Sequence, residues 1–189
     1  HGPVGSRVRS GVRGRSLAAL ILATACLVVA QQHASAGPTA TVQSITAPAK
    51  IGYDPAGGAP AMRLWSECVT AANAARRSEG AAPLRLDVRI AMAATGHSSY
   101  QAQTQTMSHT GYGVSNAGNR LTLAGYTWSR WGENIAAGQP NCESVLSAWL
   151  ASKPHRENIL NPAFRHIGIG MVLSSTGVPY WTMDLAAGG

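Results

Sequence analysis

The pattern of apolar and polar residues changes its period along the chain. From Met62 to about residue 150, apolar side chains recur at intervals of three and four, the spacing of amphipathic helices. From His166 to Ala187 the chain instead carries two β-rich runs joined by a tight turn at Gly177, which indicates an antiparallel hairpin. Helices first and strands last, with no β-α-β alternation, predict an α+β fold rather than a doubly wound sheet.

Four helices are predicted in the first of these regions. Their approximate limits are residues 62–79, 88–106, 116–124 and 142–153. Asp87 and Asn141 are suitable N-caps because their short side chains can accept hydrogen bonds from the first free backbone N–H groups. Gly125 can end the third helix in the left-handed conformation, and Pro154 follows the fourth.

The chain before residue 62 lacks this pattern. Residues 1–36 are predicted to be an export leader, in which four arginines precede an uncharged apolar run and Ala34-Ser35-Ala36 offers a cleavage site. The first six residues resemble a cloning remnant. The apolar run from Leu17 to Ala30 has 14 residues, fewer than the roughly 20 that span a bilayer. Residues 37–61, rich in Ala, Pro, Gly and Thr, are predicted to be a flexible linker, which leaves one domain at 62–187.

These features predict a secreted, monomeric protein that meets the membrane only through its leader. Cys26 keeps an alternative open, because lipoprotein processing there would tether the domain, although Ala23 is a poor residue for that signal. Without the four leader arginines the net charge of +7 falls to about +3. No cluster of lysines or arginines remains, so a nucleic-acid partner is not expected.

Two cysteines, Cys68 and Cys142, remain after the leader. Outside the cytoplasm such a pair is most simply a disulfide. Two buried free thiols are the alternative.

Three short polar clusters interrupt the core pattern, and each is expected at the boundary of an element, where side chains can converge on a cleft. They lie at residues 107–109, 132–136 and 152–160, and they contain His109, Glu133 and His155. Arg120 or Arg156 is expected to pair with a carboxylate.

The order of these clusters resembles the bacterial branch of the CAP (SCP-like) superfamily, which includes cysteine-rich secretory proteins, venom allergens and plant pathogenesis-related proteins. The matching stretches are Asn73-x-x-Arg76, Ala94-x-x-His97-Ser98, Met107-Ser108-His109, Gly132-Glu133-Asn134, Trp149-x-x-Ser152, Ile167-Gly168-Ile169-Gly170 and Tyr180-Trp181-Thr182. They span about residues 62–187. The resemblance implies a three-layer α-β-α sandwich with a small antiparallel sheet and a cavity on one side.

In many members of the superfamily this cavity is lined by two histidines and two glutamates that can hold a divalent cation. By motif, His109, Glu133 and His155 take three of these places, and Ser152 stands where the second glutamate would be. Two imidazoles and a carboxylate are an acceptable set for Zn²⁺ with one open position. We therefore expect an optional cation, most readily Zn²⁺. A polar network that merely braces the cleft is the alternative.

Asn134 is expected to anchor backbone in the cleft wall. His97 lies on the apolar side of its helix, so it is more readily a core histidine than a cleft residue.

The resemblance favours a secreted binding module whose cleft takes a lipid or cell-envelope component. A hydrolase is the first alternative, with His109, Glu133 and His155 as a metal or acid-base centre, or with Ser108 activated by a histidine. The chain has neither a G-x-S-x-G elbow nor an H-E-x-x-H helix, so catalysis is the less favoured interpretation. An envelope-structural protein without a ligand is the second alternative.

Overall fold

The structure, a computed structural model, describes residues 58–188. The predicted signal peptide, Cys26 and the linker up to residue 57 lie outside the described residues. The first helix begins at Gly58, a few residues before the predicted end of the linker at residue 61.

Five helices and four strands form this part of the chain. They are α1 (Gly58–Ser78), β1 (Arg85–Leu86), α2 (Val88–Thr104), α3 (Ala117–Leu123), β2 (Trp128–Ala137), α4 (Cys142–Ala151), α5 (Lys153–Leu160), β3 (His166–Leu173) and β4 (Pro179–Gly188). A short 3-10 turn, Tyr112–Val114, lies between α2 and α3. None of the helices in residues 58–188 is both long and apolar enough to cross a membrane.

Most of the predicted local signals are confirmed. The side chain of Asp87 accepts from the Arg89 N–H at the start of α2, and Asn141 and Asn116 form capping boxes at α4 and α3. Gly177, with a φ of 80°, makes the turn between β3 and β4. Three elements were not predicted: the two-residue strand β1, strand β2, inside which the cluster at 132–136 lies rather than at a boundary, and helix α5, which continues the chain beyond α4.

The four strands form one sheet in the order β1-β3-β4-β2. Strand β4 pairs antiparallel with both β2 and β3, whereas the two-residue β1 pairs parallel with β3. The α+β class is confirmed, and the sheet is antiparallel except at β1. Strand β2 is an edge strand, and its register places Glu133 opposite Asp184 of β4.

Helical layers cover both faces of the sheet. On one face α2 packs so closely on β3 that a Cβ added to Gly168 would lie 2.1 Å from the Ala91 nitrogen. On the other face α1, α4 and α5 enclose the main apolar core with β3 and β4, including the buried Trp149 and Trp181.

The predicted disulfide between Cys68 and Cys142 is present and joins α1 to α4, with the two Cα atoms 5.1 Å apart.

Candidate functional site

Glu133 stands at the centre of the candidate site, with only 1% of its surface exposed. It lies in the middle of β2, in the row of the sheet that also holds Asp184 and Gly168 and faces α2. Because successive strand residues point to opposite faces, its neighbour Asn134 faces α5 instead. There Asn134 donates to the His155 carbonyl at 3.0 Å, so it anchors backbone as expected.

Two basic side chains contact the Glu133 carboxylate. His109 Nδ1 lies 2.7 Å from Oε1, and Arg120 Nη2 donates to Oε2. Burial alone would raise the pKa of Glu133, but the hydrogen bond with His109 and the charge of Arg120 outweigh it and hold the pKa below its usual value. Glu133 is therefore a buried carboxylate with both oxygens engaged.

Asp184 is a second buried carboxyl group beside Glu133. It is fully buried, and neither of its oxygens receives a hydrogen bond from the protein in residues 58–188. Burial, and next the negative charge of Glu133, raise the pKa of Asp184 well above its usual value. Two adjacent buried carboxyl groups repel each other strongly when both are ionised, so one of them keeps its proton. Asp184 is thus the protonated member, and Glu133 the ionised one.

Arg120 fastens the loop before α3 to this site. Its Nη1 donates to the backbone oxygens of His109 (3.3 Å) and Ser115 (2.9 Å), while its Nη2 holds Glu133. Within the same loop, the Gly111 N–H donates to the Ser115 oxygen at 2.8 Å. One guanidinium therefore fixes both ends of the 109–115 loop against β2.

His97 belongs both to the core and to the site. It is almost fully buried on α2, its Nε2 lies 2.8 Å from the Ser108 backbone oxygen, and the same nitrogen lies 3.9 Å from Glu133 Oε2. Burial is the main cause that lowers the pKa of His97 to about 4. The Ser108 hydroxyl meanwhile accepts from the Thr110 N–H. His97 therefore contacts the backbone of Ser108, not its hydroxyl, and the two do not form a serine–histidine nucleophile.

His155 and Ser152 belong to the α4–α5 corner. His155 is buried on α5, and burial, followed by the charge of His109, lowers its pKa to about 4. Ser152 lies between α4 and α5 and is half-buried. The structure thus brings His109, His97 and Glu133 together, and it adds Arg120 and Asp184. Arg120 was expected to pair with a carboxylate and does so, whereas Asp184 was not predicted.

The predicted cation ligands do not fit a metal ion in this arrangement. Within residues 58–188, no group of three or more His, Cys, Asp or Glu side chains is disposed to hold one. The guanidinium of Arg120 already supplies positive charge to one oxygen of Glu133, and His109 Nδ1 is directed at the other. Binding of Zn²⁺ by His109, Glu133 and His155 stays a prediction.

Residues 69–185 match the family model of CAP, the cysteine-rich secretory protein family. The chain is 35% identical over 112 residues to the protein YkwD of Bacillus subtilis, an alignment that covers 59% of this chain and 42% of YkwD. It is 30% identical over 99 residues to the B. subtilis membrane protein YlbC, covering 52% of this chain and 29% of YlbC. The chain therefore spans less than half the length of the curated relatives it matches.

Solved structures show the same architecture. An extracellular protein containing an SCP domain from Bacillus anthracis superposes with a TM-score of 0.61 at 26% identity, covering 67% of this chain and 41% of that one. An outer surface protein from Borrelia burgdorferi superposes with a TM-score of 0.57 at 19% identity, covering 69% of this chain and 94% of that one, and shows the fold alone. The chain belongs to the CAP, or cysteine-rich secretory protein, family.

Proposed function

We propose that this protein is an extracellular binding module for an amphiphilic lipid or cell-envelope component. The observation that carries the proposal is a pair of exposed apolar side chains on the loop that Arg120 fastens to the polar site. Tyr112 is 61% exposed and Val114 is 86% exposed, and both follow closely after His109. We call Tyr112 and Val114 the apolar lip.

The backbone of the apolar lip supports a role beyond folding. Val114 has a φ of 57°, in the left-handed region that β-branched residues rarely adopt. Such a conformation costs about 1–3 kcal/mol and persists only where the surrounding structure imposes it. Here the imposing contacts are the Gly111–Ser115 hydrogen bond and the clamp from Arg120. A strained backbone that presents a valine to solvent contributes nothing to the core, which favours a functional reason for it.

The polar site around His109 and Glu133 can provide the polar contacts for an amphiphilic ligand. His109 pairs through Nδ1 with Glu133, so its Nε2 is the nitrogen that can face a ligand. A ligand would place its polar head at His109 and its apolar part along Tyr112 and Val114. The predicted leader and the similarity to an extracellular SCP-domain protein support a location outside the cytoplasm.

The hydrolase alternative has less support. His97 bonds the backbone of Ser108 rather than its hydroxyl, and Glu133 is neutralised by Arg120 rather than free to act as a base.

Vesicle sedimentation tests the proposal. We expect the double variant Tyr112→Ser/Val114→Ser to bind vesicles of phosphatidylglycerol and phosphatidylethanolamine about 30-fold more weakly than the wild type, because the loss of two apolar contacts is worth about 2 kcal/mol. Leu173→Ser is the matched control, since Leu173 is 57% exposed at the hairpin end of β3, away from the lip. Equal binding by the lip variant and the control, or no binding by the wild type, would rule out an apolar lip that contacts lipid.

A further inference from the structure

We propose that Arg120 occupies the place of a bound cation at Glu133, so that the site carries its own positive charge and excludes divalent metals. The inference concerns the charge balance of the site alone and does not depend on which ligand the apolar lip contacts.

Glu133 needs compensating positive charge. A carboxylate with only 1% of its residue surface exposed is stable in its ionised form only beside compensating charge and hydrogen bonds. Glu133 obtains both from within the chain, because Arg120 Nη2 donates to Oε2 and His109 Nδ1 contacts Oε1. A metal ion would have to replace one of these two contacts.

Arg120 is held from several sides. The carbonyls of His109 and Ser115 accept from its Nη1, so moving the guanidinium would break three hydrogen bonds at once. Helix α3, which carries Arg120, is itself fixed at its start by the capping box of Asn116.

Helix α3 is also packed tightly against the sheet. A Cβ added to Gly118 would lie 2.5 Å from the Trp131 indole nitrogen, so the helix has no room to approach β2 further. Arg120 is therefore a built-in part of the site rather than a mobile surface side chain.

Carboxyl groups and imidazoles surround the Arg120 guanidinium. Glu133, Asp184, His109 and His97 together provide two carboxyl groups and two imidazoles beside the place that Arg120 fills. These are donor types that Zn²⁺ accepts. In the arrangement of residues 58–188 no three of these donors are disposed to hold a metal ion, and Arg120 supplies the positive charge instead. Removal of Arg120 frees both Glu133 and the loop that carries His109, so that the donors can close around Zn²⁺.

Isothermal calorimetry with Zn²⁺ tests the inference on tag-free protein. We expect no saturable binding to the wild type at micromolar Zn²⁺, and a gain of at least about tenfold in affinity for Arg120→Gln. The gain should disappear in Arg120→Gln/His109→Ala, which lacks one donor. Arg89→Gln is the matched control, because it frees the carboxylate of Asp87 from its arginine at a second arginine–carboxylate pair. That variant should bind no better than the wild type.

Two results would overturn the inference. One is saturable Zn²⁺ binding by the wild type that is lost in His109→Ala. The other is an Arg120→Gln variant with a native near-ultraviolet circular dichroism spectrum and no gain in affinity. If Arg120→Gln does not fold, the wild-type titration and its His109→Ala comparison still decide the question.

Discussion

Replacement of Asp184 by asparagine is expected to stabilise this protein at neutral pH. Asp184 is buried beside the ionised Glu133, and burial is the first cause of its raised pKa. Asparagine has nearly the same shape and carries no proton that can be lost. The substitution therefore removes the need to protonate a carboxyl group on folding.

The size of the effect follows from proton linkage. In the unfolded chain Asp184 ionises around its ordinary pKa of 3.8, whereas the folded protein keeps the proton. As pH rises above 3.8, folding must take up a proton. The free energy of unfolding of the wild type therefore falls by about 1.4 kcal/mol per pH unit relative to that of the variant. The loss ends where pH passes the raised pKa of the folded protein. The two proteins should be about equally stable near pH 4, and the variant more stable at pH 7.

Urea denaturation of both proteins at several pH values between about 4 and 8 measures this difference directly. The other titrating groups of the site are common to both proteins, so their contributions largely cancel. A stability difference that does not vary with pH, or a variant that is less stable at pH 7, would show that Asp184 does not hold a proton in the folded state.

Three further predictions concern the stability of the folded protein. Burial lowers the pKa of His97 to about 4, so acidification from pH 6.5 to 4 protonates this histidine in the unfolded chain before it does so in the folded protein. Over that range the free energy of unfolding, measured by urea denaturation, should fall by about 3 kcal/mol more in the wild type than in His97→Gln. An equal fall in both proteins would refute this. Replacement of Cys68 and Cys142 by alanine should lower the free energy of unfolding by about 4 kcal/mol, since the bridge closes a loop of 74 residues; a loss below about 1 kcal/mol would contradict it. Gly168→Ala should lower the stability by about 2 kcal/mol or more, because the added Cβ would lie 2.1 Å from a backbone nitrogen of α2, whereas Gly96→Ala, with open space around it, should leave the melting temperature unchanged or raise it.

Helices α1 to α4 and the β3–β4 hairpin could be predicted because their signals are local. A cap such as Asp87 or Asn141 acts on backbone groups two or three residues away, and the turn at Gly177 needs only a residue that accepts a positive φ. These signals can be read without knowledge of the tertiary structure.

Strand β2 and helix α5 could not be predicted in the same way. Strand β2 buries Glu133 and Asn134 consecutively, one on each face, and their partners come from α3 and α5 rather than from the strand itself. Polar residues at successive positions look like a loop until those partners are known. In α5, Pro154 looked like a terminator, but it stands in the first turn of the helix, where no intrahelical N–H bond is lost.

The site could be predicted only in part, because its residues come from distant parts of the chain. Motif resemblance located His109 and Glu133, which the structure brings into contact, and it indicated His97 as a residue of the core or the cleft. The role of Asp184 depends on the register that sets it opposite Glu133, fifty-one positions earlier in the chain. No pattern within β4 reveals that pairing, although an acidic residue inside the apolar run Trp181 to Ala187 is an unusual feature that could have been noticed.

Binding of an amphiphile at the apolar lip is tested most directly by mass spectrometry of the purified protein. Under native conditions the wild type should carry an amphiphilic molecule of defined mass at a ratio of about one per chain. The same molecule should be absent or strongly reduced in Tyr112→Ser/Val114→Ser and retained in Leu173→Ser. A wild-type protein with no bound molecule, or one whose bound molecule is equally abundant in the lip variant, would contradict the account.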